Sequence, residues 1–163
     1  MILCGIDSST TFTAISWFED GEYKSKALID THKTKDAEER IDEMIRYIFR
    51  VLDGRKPDVI YQEYAWLKNN AKTSIELATI IGAVRGWAVN NGCRWYKVMP
   101  NAWRKKLNII TKAKREQLKQ IAIDYVDENL GIKVRRDDEA DAICIGLAGV
   151  KFEEDKLFKI PLK

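Results

Sequence analysis

The sequence contains one histidine and three cysteines, and these low counts exclude several kinds of site. Ser-His-Asp triads, histidine-based nuclease chemistry and zinc sites with several imidazoles would all have to share His32, which we expect at the surface. Cys4, Cys93 and Cys144 are widely spaced and form no Cys-x-x-Cys pair. This argues against a zinc site or a disulfide framework and favours reduced thiols, so we expect a cytoplasmic protein.

Long apolar runs, internal repeats and low-complexity tracts are also missing. No segment approaches the ~18–20 apolar residues of a membrane span. The apolar start of the chain stops at Asp7, so we expect neither a signal peptide nor a membrane partner. With 163 residues, of which 45% are hydrophobic and 33% charged, the composition predicts a single globular domain over 1–163.

The net charge of +3 is small, but the basic residues are unevenly distributed. Between Arg94 and Lys119 the chain has nine basic residues and one acid, Glu116. A basic sector on a nearly neutral protein suits a polyanion such as DNA, although a charge run can also be only a solvated helical face. The predicted DNA contacts in this sector are Arg104, Lys105, Lys106, Lys112, Lys114 and Arg115.

The hydrophobic periodicity predicts three strands followed by alternating helices and strands. Strands are predicted at 1–7, 12–18, 23–30, 58–63 and 94–98. Helices are predicted at 35–52, 71–90, from Pro100 onward, 114–129 and 138–151, with the last residues left unassigned. This order predicts an α/β protein with a five-stranded mixed sheet flanked by helices. It is similar to the element order of the ribonuclease H-like fold.

Four acidic residues lie where they can converge. Asp7 closes the first predicted strand and Glu63 closes the fourth, whereas Asp138 and Asp141 share one face at the start of the last predicted helix. If the two strands are parallel neighbours, their carboxyl ends meet at one edge of the sheet, where ligand sites are expected. Phosphodiester cleavage without histidine usually requires two divalent cations held about 3.5–4 Å apart by carboxylates. The four acids therefore predict a two-metal nuclease site.

Each acid taken alone also has a structural explanation. Asp7 can be a turn residue that accepts from the following amides. Asp138 and Asp141 suit a helix start, because acids there complement the helix dipole. Glu63 is harder to explain in this way, since an acid that closes an apolar strand is costly to bury unless a cation or donor meets it. A shared metal site accounts for all four positions together.

Three motifs carry a resemblance that extends over nearly the whole chain. They are Gly5-Ile6-Asp7-Ser8-Ser9-Thr10, then Glu63-Tyr64-Ala65-Trp66 with Asn70-Ala71, and finally Asp138-Glu139-Ala140-Asp141-Ala142. In this order they resemble the motifs of the RuvC-type Holliday junction resolvases, particularly the short phage members. The first motif departs from the family pattern by having Ser8-Ser9 where the family has Pro-Gly, and this bears on sequence preference.

The resemblance implies a homodimer that binds four-way DNA junctions and other branched DNA such as forks, each subunit nicking one strand. It implies two Mg²⁺ ions per active site, for which Mn²⁺ can substitute. We expect Asp7 to bridge both ions, Glu63 to bind one, and Asp138 and Asp141 to bind the other, leaving a 5′-phosphate at the nick. Together with the small size, the resemblance also implies a phage origin and therefore the cytoplasm of a host cell.

The resemblance also suggests DNA contacts. In the family an aromatic residue in the loop after the glutamate enters the junction crossover, and Trp66 stands at that position, close to Lys68. An indole there can stack on an unpaired base, but Trp66 can equally fold back onto the core. A basic residue of the family contacts phosphate near the metals, and the matching position is either Lys114 or Arg115.

Small residues recur at every fourth position of the predicted helix 71–90, at Ser74, Ala78, Gly82 and Gly86. Glycine costs about 1 kcal/mol relative to alanine in a helix, so two glycines on one stripe predict a close backbone contact. That contact can be with the sheet or with the same helix of a second subunit. We favour the second, which makes Ala78, Gly82 and Gly86 the predicted dimer interface.

Three other functions are compatible with parts of the sequence. The segment 5–11 also resembles the phosphate loop of sugar kinases and actin-like ATPases, but the second domain and glycine-rich nucleotide motifs of those proteins are missing. A non-catalytic binder of branched DNA would use the acids only structurally. A ribonuclease H or flap-cutting enzyme would use the same metal site on a different substrate.

Overall fold

The computed structural model of the chain describes residues 1–64 and 70–158. In the order of the chain the elements are β1 (Ile2–Ser8), β2 (Phe12–Glu19), β3 (Glu22–Asp30), α1 (Ala37–Arg55), β4 (Val59–Glu63), α2 (Ala71–Asn90), β5 (Arg94–Val98), α3 (Pro100–Lys106), α4 (Arg115–Leu130) and α5 (Asp137–Phe158). The predicted α/β fold with a five-stranded mixed sheet is confirmed.

The strand order is β3-β2-β1-β4-β5. β2 pairs antiparallel with both β1 and β3, whereas β4 pairs parallel with both β1 and β5. The β2–β3 hairpin turns at Asp20 and Gly21, which have φ values of 50° and 86°. Positive φ at both central residues suits the twist of a two-residue hairpin. The parallel pairing of β1 and β4 is the feature that positions the candidate site, because it brings their carboxyl ends to the same edge.

Helices cover both faces of the sheet. Side chains of a strand alternate between the two faces, so Cys4, Ile6 and Ile60 contact α1 and α2 on one side. Leu3 and Tyr61 lie in the core on the other side, which α3, α4 and α5 cover. By the same alternation Asp7 and Glu63 are directed toward the second face.

Two helix boundaries differ from their prediction. α1 continues through Gly54 to Arg55, and the left-handed residue that ends it is Lys56, with φ 48° and an amide that donates to the Leu52 carbonyl at 2.7 Å. α5 extends to Phe158, seven residues beyond the predicted end at Lys151. The extension places the buried carboxylate of Glu153 where it accepts from the Tyr61 hydroxyl at 2.8 Å. The contact between Glu153 and Tyr61 is long-range, so the local pattern does not encode it.

The three cysteines lie in the core, and the single histidine lies at the surface. Cys4, Cys93 and Cys144 are free and buried. His32 is exposed, and its Nδ1 lies 2.5 Å from a carboxylate oxygen of Asp30. Among the described residues, no helix has the length and apolarity that crossing a bilayer would demand.

Candidate active site

The carboxyl ends of β1 and β4 place two acids side by side. Ile6 pairs with Gln62 in the parallel ladder, and Asp7 and Glu63 are the next residues of their strands. Both therefore lie at the same edge and on the face covered by α5. The first turns of α5 are joined to this face by Ser16, whose hydroxyl donates to the Ala142 carbonyl at 2.7 Å.

The electrostatics show that the acids of α5 lie near those of the strands. Burial raises the pKa of Asp7 well above its usual range, and the charges of Glu63, Asp141 and Asp138 raise it further. Burial and then the charge of Glu63 raise the pKa of Asp141 to about 7, against the opposing effect of Arg104. The side chain of Asp141 is only 15% exposed. Glu63, Asp138 and Asp141 therefore lie near enough to Asp7 for their charges to act on it, and we call these four side chains the carboxylate cluster.

Three of the four carboxylates lie beside protein donors. Glu63 accepts from the Trp103 indole at 2.6 Å, and Asp138 accepts from Arg136 Nε at 3.1 Å. Asp141 Oδ2 lies 3.9 Å from Arg104 Nη2. Within the described part of the chain, Asp141 Oδ1 and Arg104 Nε are buried without a hydrogen-bond partner. Burying a carboxylate oxygen without a partner costs free energy, and a cation bound next to it would remove that cost.

The residues present fit a hard divalent cation. Mg²⁺ prefers carboxylate oxygens. Burial raises the pKa values of Asp7, Glu63 and Asp141, and neighbouring acids raise those of Asp7 and Asp141 further, so a bound cation would stabilise their charged forms. The carboxylates do not form a ready-made ligand shell. Over residues 1–64 and 70–158, no three acidic, histidine or cysteine side chains are grouped closely enough to hold an ion. Ligation would require carboxylates to rotate away from the neighbours they now have.

The predicted DNA contacts lie in different environments. Arg104 is inside the carboxylate cluster, with a side chain that is 11% exposed. Lys106 pairs with Asp155 and lies over the Phe152 ring, so it is directed toward the end of α5. The exposed members are Lys105, Lys112, Lys114 and Arg115. Trp66 and Lys68 lie outside the described residues.

Sequence reasoning missed three residues, two that contact the carboxylate cluster and one whose charge acts on it. Trp103 belongs to the basic segment that was considered for its charge alone. Arg136 lies over the Phe12 ring, with 3.8 Å between its Cζ and the ring centroid, while its Nε reaches Asp138. Asp137 pairs with Lys119 of α4 at 2.8 Å, and its charge contributes to the raised pKa values of Asp7 and Asp141. A signal for the last two was available, because Arg135-Arg136-Asp137 places opposite charges directly before the third motif.

The small-residue stripe of α2 faces outward. Ala78, Gly82 and Gly86 are exposed, and a Cβ added to either glycine would meet no atom within 4 Å. The opposite side of the helix, with Ile80, Val84 and Trp87, packs into the core. The alternative that the stripe contacts the sheet is therefore wrong. The dimer interface stays a prediction.

Comparisons with known proteins agree on the fold and the family. The family model described as crossover junction endodeoxyribonuclease RuvC matches residues 3–149. The structure of Thermus thermophilus RuvC in complex with a Holliday junction substrate has a TM-score of 0.75 at 19% identity, covering 95% of this chain and 96% of that one. The fowlpox virus resolvase, solved with Holliday junction DNA, has a TM-score of 0.68 at 18% identity, with coverages of 98% and 100%.

A third relative by structure is the yeast mitochondrial Holliday junction resolvase, with a TM-score of 0.65 at 15% identity over 96% of this chain and 80% of that one. At these identities the structural matches establish the shared fold. No curated protein sequence matches the chain significantly.

Proposed function

The chain belongs to the RuvC family of crossover junction endodeoxyribonucleases, and on this premise we propose that it resolves four-way DNA junctions by paired, metal-dependent nicks. The observation that supports cleavage best is the placement of Asp7 and Glu63 side by side at the carboxyl ends of the parallel strands β1 and β4, with Asp141 near enough that its charge and that of Glu63 raise the pKa of Asp7 beyond the effect of burial. A DNA-binding protein without catalysis has no need for clustered acids at a surface that must meet phosphate. Such a cluster would repel DNA unless cations were bound there.

In this proposal Asp7 would be the central ligand, because it closes the strand that pairs with β4 and feels the charges of Glu63, Asp138 and Asp141. Glu63 would hold one ion with it, and Asp138 and Asp141 the other. Two bound Mg²⁺ ions, for which Mn²⁺ can substitute, would supply charge stabilisation at the scissile phosphate and activation of the attacking water.

The chain's own residues prepare this site in two ways. Asp7 is half-buried, and this partial burial makes electrostatic interactions at the cluster stronger than they would be in water. Arg104 supplies a cation next to Asp141, where it offsets part of the negative charge and could also meet a phosphate oxygen. Because the pKa of Asp141 is about 7, a proton and a metal ion compete for this carboxylate near neutral pH.

The exposed basic residues before and at the start of α4 supply the proposed contacts to the DNA backbone. Lys112, Lys114 and Arg115 are exposed, and Lys114 precedes the first residue of α4. Positive side chains on a helix start and its preceding loop bind phosphates without reading bases. They would position branched DNA while the carboxylate cluster acts on one strand.

A junction cut symmetrically needs two active sites, so we propose a homodimer formed through α2. The exposed stripe of Ala78, Gly82 and Gly86 is flanked by two exposed apolar residues, Ile75 and Val89, whose exposed fractions are 69% and 73%. Large apolar side chains on an exposed helix face are typical of an interaction surface. The glycines would let a second helix approach closely.

The test is cleavage of an end-labelled four-way junction with and without Mg²⁺. The expected products are paired nicks with 5′-phosphates that appear only with the metal and are absent for Asp7→Asn. A replication fork and an RNA–DNA hybrid in the same assay separate a junction resolvase from a flap-type or ribonuclease H enzyme. Binding of the junction by wild-type protein without cleavage at any Mg²⁺ or Mn²⁺ concentration would contradict the proposal and leave a non-catalytic binder.

A further inference from the structure

A buried indole contacts the candidate site from α3. Trp103 is fully buried, and its Nε1–H donates to Glu63 Oε2 at 2.6 Å. The helix is short, but Pro100 at its first turn and Leu107 directly after its end, which packs into the core, hold it in place. The indole is therefore positioned by the fold of this chain rather than by the loop that follows Glu63.

The next residue reaches a second acid. The Cζ of Arg104 lies 4.3 Å from the centroid of the Trp103 ring, in a cation–π arrangement. Its Nη2 lies 3.9 Å from Asp141 Oδ2. Two consecutive residues of α3 therefore contact one carboxylate from β4 and one from α5, and the indole is the common support of both contacts.

The chemistry of the indole suits the task of orienting a carboxylate. The indole N–H can only donate a hydrogen bond and does not titrate. It therefore remains a donor to Glu63 whatever the pH or the metal concentration. A hydrogen bond to an ionised acceptor is stronger than one between neutral groups. It also opposes the effect of burial on the pKa of Glu63, favouring the charged form that a cation binds.

We propose that Trp103 is a positioning residue for the nuclease reaction. It holds Glu63 Oε2, so that Oε1 is presented to the cation and the phosphate, and its ring holds Arg104 beside Asp141. This inference rests on the proposed function, because it assigns Glu63 to metal binding. It adds a donor outside the four acids, from a segment that the motifs do not include.

The chain offers a matched control for this role. Trp87 is also buried, and its Nε1 donates to Asp53 at 2.8 Å, in a contact between α2 and α1. Trp87→Phe and Trp103→Phe are the same chemical change at two places in the fold. Each removes one hydrogen bond from an indole to a carboxylate. Only the second place contacts the candidate site.

The first measurement is the rate of junction cleavage as a function of Mg²⁺ concentration. Substituting a residue that hydrogen-bonds a metal ligand typically lowers metal affinity or activity by 10–100-fold. We expect Trp103→Phe to lower the cleavage rate or the apparent Mg²⁺ affinity by about that factor. The dissociation constant for the junction in Ca²⁺ should be unchanged, which separates positioning from DNA binding. Trp87→Phe should retain the wild-type metal dependence.

The second measurement needs neither activity nor a tryptophan variant. In ¹⁵N-labelled wild-type protein, assigned by triple-resonance NMR, the indole N–H signal of Trp103 should shift on titration with Ca²⁺, while that of Trp87 should not. In Glu63→Ala the Trp103 signal should lose this response. This measurement stands even if Trp103→Phe fails to fold.

The outcomes are separable. Wild-type protein that cuts no junction overturns the proposed function. A cutting wild type with the same Mg²⁺ dependence in Trp103→Phe overturns the positioning role alone. Equal losses in Trp103→Phe and Trp87→Phe would show a general effect on stability, and a Trp103 signal that Ca²⁺ leaves unmoved would place the indole outside the metal site; either result also overturns the inference.

Discussion

The backbone of Gly5 in β1 lies against that of Gly146 in α5. A Cβ at Gly5 would stand 2.3 Å from the Gly146 amide nitrogen and 2.5 Å from the Ala142 carbonyl oxygen. No side chain fits at such a distance, so the first half of α5 lies directly on the strand. Asp7 is two residues beyond Gly5 on the same face, and Asp141 precedes Ala142, so this close approach brings the two acids together.

Gly5→Ala should therefore separate α5 from β1. Overpacking of a core typically costs about 1–3 kcal/mol, and for a chain of this length that corresponds to a fall in Tm of roughly 2–12 °C. The activity should fall more than the stability alone explains, because the distance between Asp7 and Asp141 changes. Differential scanning calorimetry and the junction assay measure the two effects.

Gly54→Ala is the control for that substitution. Gly54 lies in α1, is exposed, and would place its Cβ within 4 Å of no other group. Since alanine is favoured over glycine in a helix by about 1 kcal/mol, its Tm should stay level or rise. A normal Tm in Gly5→Ala would show that the strand and the helix are not in this contact.

Asp7→Asn should change how the protein responds to metal. Burial and neighbouring acids raise the pKa of Asp7, which means that its charged form is unfavourable in the folded protein. Asp7→Asn removes this group, so the metal-free variant should melt at a higher temperature than the wild type. A ligand at ten times its dissociation constant contributes about 1.4 kcal/mol, or some 3–5 °C. Mg²⁺ should produce that increase in the wild type and not in Asp7→Asn.

The control is Asp124→Asn, an equivalent change at an exposed position on α4. It should keep the wild-type melting shift with Mg²⁺. A shift of equal size in Asp7→Asn would place the ion elsewhere.

The meeting of Asp7 and Glu63 could be predicted from the sequence because it depends on local rules. Each acid closes a strand, strand side chains alternate, and parallel neighbours end at the same edge. The only non-local step was that β1 and β4 are parallel neighbours, which the alternation of helices and strands favours. The start of α5 followed from a helical pattern and an acid at its first turn.

The roles of Trp103 and Arg104 could not be predicted in the same way. The sequence predicts Arg104 as one of several DNA contacts, because a charge run carries no information on what packs against it. Its burial beside Asp141 depends on how α3 packs against α5, a contact between segments some 35 residues apart in the chain. The extension of α5 beyond Lys151 depends likewise on Glu153 meeting Tyr61 and Arg94.

The pH dependence of the metal-free protein should differ from that of an ordinary acidic surface. Because the pKa of Asp141 rises from 3.8 to about 7 on folding, the folded state holds a proton that the unfolded state releases between those values. Stability contributed by this group is therefore present at low pH and lost as the pH rises toward and through 7. In EDTA, the Tm of the wild type should fall between roughly pH 5 and 8 more than that of Asp141→Asn.

Two other carboxylates, Glu139 and Glu153, affect the stability in the opposite direction, and they do so at lower pH. Desolvation raises the pKa of Glu139 and Glu153, but their hydrogen bonds to basic residues and backbone amides outweigh it, and the pKa of each is lowered overall. Their stabilising effect is lost as the pH falls through the acidic range, so the comparison belongs above about pH 5. Parallel Tm curves for wild type and Asp141→Asn above that pH would show that Asp141 is charged in the folded protein without metal.

The proposed dimer depends on whether a second helix can approach the exposed stripe of α2. The substitution Gly82→Leu would add four carbon atoms where the two backbones are proposed to meet. Gly82 is exposed and nothing lies within 4 Å of a Cβ built there, so we expect the fold of the monomer to accept the side chain. Glycine-to-leucine substitution also favours the helix itself by close to 1 kcal/mol. We therefore expect Gly82→Leu to be a monomer by multi-angle light scattering and to remain folded by its circular dichroism spectrum.

The matched variant Glu128→Leu, which adds leucine to an exposed position of α4, should stay dimeric. A junction bound by the Gly82→Leu monomer should be nicked on one strand at a time, so that unpaired nicks accumulate before resolution. A dimer that persists in Gly82→Leu would move the subunit contact to another surface.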